Sequence, residues 1–447
     1  MKLTNLQTAA AGLALVLAGG MNFAVASQPP AAAPAAAAEA PAHTPGYTRV
    51  VDKDDGSLTL EIAAKSFVPA GGKPGPTIHL VGAVHIADKP FYTELQSMLD
   101  AADLVLFEGV KPPGAGAFDA TLDEEGKIKA TTSRLKFLLS VVEEDRSRSG
   151  KLPGSLQQAV DDAGKRWKTM IASSLTDAWG HQIIYTVAEL EKGGQRAVVT
   201  SVGPNGQDDD GKGDDVRIEG KAAAKKGASK DPGLQAKMAD ALGLTFQLDA
   251  MDSSKPNWRS SDMSVDQMQA AFEAAGVEGN QLFSMLEGSS LTGKLVNMGL
   301  GLVKSIPGLA DTLKLTMVEL LGSPDALAAG PANMKKMMDV ILKDRNDVVL
   351  KDLRAVIDTE QPARKEVSIF YGAGHLADME EKLKKDFGYT FAGEQWLPAI
   401  TVDPKAAGMT PAQSKKMRET MRKQIESQAA AAEKAEKAKQ KGDEGAK

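Results

Sequence analysis

The segment Gly82-Ala83-Val84-His85-Ile86-Ala87-Asp88 returns almost letter for letter as Gly372-Ala373-Gly374-His375-Leu376-Ala377-Asp378. Each copy follows a short apolar run, Thr77 to Gly82 in the first and Glu366 to Tyr371 in the second, and each precedes residues at helical spacing. A strand ending in Gly-x-x-His, with an aspartate three residues on to cap a helix, builds half of a site. Two halves far apart in the chain predict a pseudo-symmetric pair of histidines, His85 and His375, facing one pocket. Glycine at a strand end lets backbone or ligand come close. Neutral imidazole there can ligate a transition metal or act as a general base.

Working outward, Phe91, Leu95, Met98 and Leu99 give Lys89 to Ala102 helical spacing, and Asp103 to Phe107 (DLVLF) ends at Glu108-Gly109. Strand, helix and strand predict a right-handed βαβ unit whose parallel strands bring His85 and Glu108 to one edge. The second copy should add another strand of the same kind. The expected class is α/β, with a mixed, largely parallel sheet flanked by helices. A carboxylate such as Glu108 after a buried strand is costly unless paired. It can ligate metal, take a proton from water, or bridge to an arginine. Val348, Val349, Leu350, Leu353 and Val356 predict an amphipathic helix that opens near Arg345-Asn346. A cation there would hold a substrate carboxylate or developing negative charge, or form a surface ion pair. Asp249, Asp252 and Asp262 flank Asn257-Trp258-Arg259 and are either pocket-lining or turn and cap residues. His79, inside its strand, reads as structural.

The chain has 447 residues, 42% hydrophobic and 25% charged, enough for two or three domains at about 150 residues each. A net charge of −6, no basic stripe and 5% aromatics argue against nucleic acid as a partner. Lys2, the apolar run Ala9 to Leu17 and Ala24-Val25-Ala26 read as an export signal over 1–26, cleaved before Ser27 or retained as an N-terminal anchor. That places the protein in the periplasm or outside the cell, with no membrane span once the signal is removed. Without cysteine, thiolate chemistry, disulfides and lipid attachment at cysteine are excluded.

Residues 27–46 are an Ala/Pro linker. Residues 47–130 and 231–403 form one discontinuous domain, split by a module over 131–219 and a Lys/Ala/Gly linker over 220–230. In the module a helix (Leu135 to Glu144) precedes two strands, Gln182 to Val187 and Arg196 to Val202. Leu291 to Leu321, interrupted by Lys294, Lys304, Pro307 and Lys314, reads as a helical hairpin covering the sheet. The charged stretch 404–447 reads as a solvated, fraying helix or disordered tail, the alternative being a partner-binding helix.

Four blocks, LVGAVHIADKPFYTELQSML…DLVLFEGV, LGLTFQLDAMD, DRNDVVL and IFYGAGHLAD, together resemble the TraB/Tiki (PrgY, GumN) family and occur in its order. The resemblance implies a fold related to erythromycin esterase and haem-binding ChaN proteins. It implies a site made of two Gly-x-x-His histidines (His85, His375), a glutamate (Glu108) and an Arg-Asn pair (Arg345, Asn346). Animal members are metal-dependent proteases. The module block DAWGHQIIYTV…AVVTSVGPNGQDDDGKGDDV is similar to the C-terminal part of GspG-type type II secretion pseudopilins, a small α+β unit with a calcium loop. Asn205 stands where an aspartate is usual, while Asp214 and Asp215 keep the acidic end. The loop is then a calcium site or a solvated acidic turn. The pilins' long apolar assembly helix is absent.

The expected function is an exported metal-dependent hydrolase acting on a peptide or protein substrate. His85, His375 and Glu108 would hold zinc, manganese or cobalt, with Arg345 and Asn346 beside them. A non-catalytic haem- or peptide-binding protein, and an envelope or secretion adaptor docking through the module, are the alternatives.

Overall fold

A computed structural model of the chain describes residues 43–116, 118, 122–163, 165–190, 194–221, 233–276, 303, 306–322, 340–359, 364–424 and 427. The export signal, most of both linkers, the first part of the expected hairpin and the end of the tail lie outside the described residues. The strands are β1 (Thr48–Asp52), β2 (Leu58–Pro69), β3 (Thr77–Ala83), β4 (Ile86–Ala87), β5 (Leu104–Phe107) and β6 (Ile184–Glu189). They continue with β7 (Gln195–Ser201), β8 (Val216–Glu219), β9 (Thr245–Phe246), β10 (Trp258–Ser260), β11 (Glu366–Gly372) and β12 (Tyr389–Val402).

The fold is α/β, with a mixed, largely parallel central sheet flanked by helices. Four strands run parallel in the order β3-β11-β5-β10. The second copy's strand thus lies between the two strands of the expected βαβ unit, and β3 and β5 do not pair. Val367 to Tyr371 are buried without a break, as a central strand covered on both faces requires. β2 turns the sheet antiparallel. It pairs with β12 along its whole length, and shares its other edge between β1 and β3. β12 is irregular at Pro398, where a proline's missing N–H is tolerated.

Helix Lys89–Asp100 adds Phe91, Leu95 and Leu99 to the core, and helix Arg345–Thr359 adds Val349 and Leu353. The two repeat copies part company at Pro90. Leu376 opens helix Leu376–Asp386 directly after His375. A helix starting at the matching Ile86 would carry Pro90 in its interior, where it removes a hydrogen bond and clashes. The first copy's helix therefore starts at Lys89, with Pro90 in its first turn, and β4 fills the gap. Neither motif aspartate caps a helix with its side chain, contrary to expectation. Asp88 stands at the N-cap without a cap bond, and Asp378 lies inside its helix.

The motif glycine Gly82 serves packing between strands. A Cβ there would meet Ile62 Cγ2 at 2.5 Å and the Ala63 carbonyl oxygen at 3.0 Å. The Gly82→Ala variant is expected to lose about 1–3 kcal/mol in urea unfolding, the usual cost of overpacking. An unchanged midpoint would show that β2 yields freely.

The module has its own hydrophobic core of Leu135, Leu138, Val142, Ile183, Ala197 and Val199. There helix Glu124–Ser149 lies against the antiparallel sheet β6-β7-β8. The helix is longer than its apolar spacing suggests because both ends are capped. The Asp123 side chain accepts from the Gly126 amide (2.8 Å), and Gly150 closes the other end in the left-handed region (φ 80°). Ala115 belongs to the same core. Arg134 donates to the carbonyls of Gly114 and Thr176, and also to that of Gly116.

The tail departs from the solvated reading. Residues 411–424 are helical, Ser414 and Arg418 are buried, and Met417 packs on the main core. Glu319, buried in helix Leu309–Leu321, pairs with Arg418 (2.6 Å) and with Arg422. Among the described residues no helix is long and apolar enough to cross a membrane.

Candidate functional site

The four parallel strands deliver their carboxyl ends to one edge, and chemistry collects there. Glu108 follows β5, Ser261 and Asp262 follow β10, His375 follows β11 by three residues, and His85 follows β3 by two. Backbone bonds set this register, from the Glu108 amide to the Phe370 carbonyl (2.9 Å) and from the Ser261 amide to the Phe107 carbonyl (3.2 Å). The Tyr371 hydroxyl donates to the Ser261 carbonyl and ties the ends of β11 and β10 together.

Arg345 is the hub. It opens helix Arg345–Thr359 directly after a π-helical turn, Val340–Asp344. A cation at a helix N-terminus opposes the macrodipole. Two carboxylates compensate. Arg345 Nε donates to Asp262 Oδ1 (2.9 Å), while Nη2 donates to Asp262 Oδ2 (2.8 Å) and to Glu108 Oε1 (2.6 Å). Asp262, fully buried, also accepts the amides of Gly109 (2.9 Å) and Met263 (2.7 Å). Ser261 Oγ donates to Asp352 one helical stretch further on (2.6 Å), fixing the helix over the sheet edge at a second point.

Glu108 Oε2 accepts the Gly372 amide (2.6 Å), so a motif glycine contributes its N–H to the site. Burial pushes the Glu108 carboxyl up, but Arg345, followed by the two histidines and the Gly372 amide, holds it well below the usual carboxylate range. Its side chain remains 17% exposed.

His375 is fully buried in the short turn Ala373–His375, edge-on to the Tyr371 ring. Its Nδ1 meets Asn346 Oδ1 at 2.7 Å, and Asn346 Nδ2 donates to the His375 carbonyl (3.0 Å) and to Asp378 (2.8 Å). Its Nε2 faces Arg345 Nη1 at 3.5 Å and Glu108 Oε1 at 3.9 Å. Burial, helped by Arg345, pushes this imidazole down to about 4 against the pull of Glu108, so it is neutral at pH 7.

Glu108, Arg345, Asn346 and His375 therefore meet in one cluster, and Asp262 joins them. The pseudo-symmetry of the histidines is not carried into their surroundings. The His85 backbone is pinned, its carbonyl accepting from Gln247 and that of Val84 from Tyr92 (2.8 Å each), yet its imidazole is half-buried. Among the described residues no three His, Asp or Glu side chains stand close enough to hold a metal ion together.

The other candidates lie apart. His79 bonds Ser66 (2.9 Å) and Glu366 (2.5 Å) within the sheet. Asp252 caps its own turn by accepting from the Ser254 amide (3.0 Å), and Asp249 is exposed. In the module loop Asn205 Nδ2 donates to Asp214 (2.6 Å) and Asp209 (3.1 Å), and Asp215 accepts the amides of Asp209 (3.0 Å) and Gly211 (2.8 Å). Amides thus satisfy the Asp214 oxygens and Asp215 Oδ2, while Asp215 Oδ1 is buried without a hydrogen-bond partner.

Asp378 and Tyr371 have no separate signal in the sequence beyond their places beside the repeated motif. Fold and site define an α/β protein with a buried ionic cluster at the carboxyl edge of its parallel strands. No family model, curated protein or solved structure matches the chain.

Proposed function

We propose that the protein is an exported TraB/Tiki-like hydrolase acting on peptides, with its site at Glu108, Arg345, Asn346, His375 and His85. The observation that carries this reading is the geometry of the cluster. Glu108 and Asp262 share the Arg345 guanidinium beside the His375 imidazole, which burial keeps neutral at pH 7. Glu108 presents an ionised oxygen toward the bare Nε2 of His375.

In donor type and protonation state Glu108 and His375 suit a divalent transition metal, since ligand carboxylate must be ionised and ligand imidazole neutral, and the ion would have to draw His85 in, because the three do not stand close enough together as they are. His375, Glu108 and His85 would hold the ion, zinc, manganese or cobalt, which when bound supplies a Lewis acid and a water of lowered pKa. The protein's own groups have separate roles. Asp262 holds Arg345 at two nitrogens, leaving Nη1 to donate to a substrate oxygen as charge develops on it. Asn346 fixes the imidazole. Glu108 would accept a proton from an attacking water. The peptide class follows from the family resemblance of the four sequence blocks. Calcium binding at Asn205, Asp214 and Asp215 is proposed for the module, which would serve as a docking unit for an envelope partner.

One experiment tests both sites: metal content of the purified chain, thermal shift with each cation, and a peptide-library assay. Bound transition metal, and peptidase activity reduced at least a hundredfold in His375→Ala and in His85→Ala, are expected, as for loss of a ligand. A metal-free protein whose activity ignores both substitutions would sink the hydrolase reading. Calcium should raise the melting temperature in the wild type and not in Asp214→Ala.

A further inference from the structure

The Asn346 amide can face only one way. Its Nδ2 lies between two acceptors, the His375 carbonyl at 3.0 Å and Asp378 Oδ2 at 2.8 Å. Turning the amide over would set its oxygen against a carbonyl and a carboxylate at once. Oδ1 must therefore face His375 Nδ1, 2.7 Å away, and accept from it. The imidazole proton is then on Nδ1, and Nε2 keeps its lone pair toward Arg345 Nη1 and Glu108. Lys382 steadies the far end of the chain of contacts, bridging Asp378 (2.9 Å) and Asp347 (2.7 Å).

We infer that Asp378 is a positioning residue that sets the tautomer of His375 through the Asn346 amide, keeping Nε2 available as an acceptor. The repeat supplies an internal comparison. Asp88, the matching aspartate of the first copy, accepts the backbone amide of Thr401 (2.9 Å), and among the described residues it holds no side-chain amide against His85. The same sequence motif thus carries a lock in one half of the site and a strand anchor in the other. A carboxylate that orients a site histidine through an intervening group is a recurrent way to fix which ring nitrogen serves the site.

The value of a bare Nε2 to an ion or substrate rests on the proposed function, but the tautomer itself needs neither. Two-bond 1H–15N correlation spectra of the full chain at pH 7, with chelator present, read it directly. The His375 signals are assigned by their loss in His375→Gln. The wild type is expected to show the Nδ1–H form. Asp378→Leu, which removes the acceptor, should raise the ratio of the Nε2–H to the Nδ1–H form roughly tenfold, the effect of losing one charge-assisted hydrogen bond. Asp378→Asn, whose amide oxygen can still accept from Asn346, should restore the wild-type ratio. Wild-type His375 protonated on Nε2 overturns the inference, and so does an unchanged ratio in Asp378→Leu. Asp378→Ala replaces the leucine variant if that one does not fold, and the wild-type spectrum stands independently of either. Absence of metal binding or hydrolysis would refute the functional reading and leave these spectra as they are.

Discussion

Replacing Arg345 with methionine is expected to cost about 3–5 kcal/mol of folding free energy at neutral pH, the usual penalty for stranding a buried charge. Its removal leaves Glu108 and the fully buried Asp262 facing each other without their counterion. The pH dependence should change sign as well. In the wild type Arg345 is the leading group that pulls the Glu108 carboxyl below its unfolded value, against burial. That contribution is present above the unfolded carboxylate range, about pH 4 to 5, and is lost only as pH falls through the lower folded value. In Arg345→Met, burial and the neighbouring Asp262 should carry the folded value above the unfolded one. The group then favours the folded state at low pH, and the benefit disappears as pH rises through the raised value. Relief of Arg345's push on His375 works in the same direction. Urea unfolding at pH 5 and pH 7 should therefore show a smaller deficit for the variant at pH 5. Equal deficits would mean that the guanidinium does not govern the ionisation of this cluster.

The sequence makes one half of this cluster legible, and the reason is periodicity. The runs before Gly82 and Gly372 are long enough to be recognised as strands, and parallel strands place their carboxyl ends together wherever they fall in the sheet. The position of Arg345 at a helix start follows from the apolar spacing of Val349 and Leu353. Asp262 could not be resolved in the same way. It follows a strand of three residues, Trp258–Ser260, too short to carry an alternating pattern. Strand order was hidden too, because β11 enters between β3 and β5 from nearly three hundred residues further along the chain. The divergence of the two histidines was present in the letters as Pro90, which delays one helix and so leaves His85 outside the turn that buries His375. The docking of the tail was not legible. Nothing in a run of Lys, Arg and Glu marks which two arginines will meet a glutamate a hundred residues away.

That contact gives the second large effect. Glu319 is 1% exposed on the buried face of its helix, where a carboxylate is costly unless paired, and Arg418 and Arg422 both reach it. Glu319→Leu is expected to destabilise the protein by about 3 kcal/mol, since Arg418 stays buried with Asp52 as its remaining partner. The loss should be local in character. Residues 411–424 should become sensitive to limited proteolysis at denaturant concentrations where the sheet stays intact, because the ion pairs bind that helix to Leu309–Leu321. The double variant Glu319→Leu with Arg418→Met separates the causes. If the single loss comes from an unpaired buried guanidinium, replacing both partners with apolar side chains should recover most of the stability and protease resistance. If instead the pair specifies where the helix docks, the double variant should regain stability in urea while 411–424 remains open to cleavage. A single variant as stable and as resistant as the wild type would assign the docking to the apolar contacts of Met417 alone.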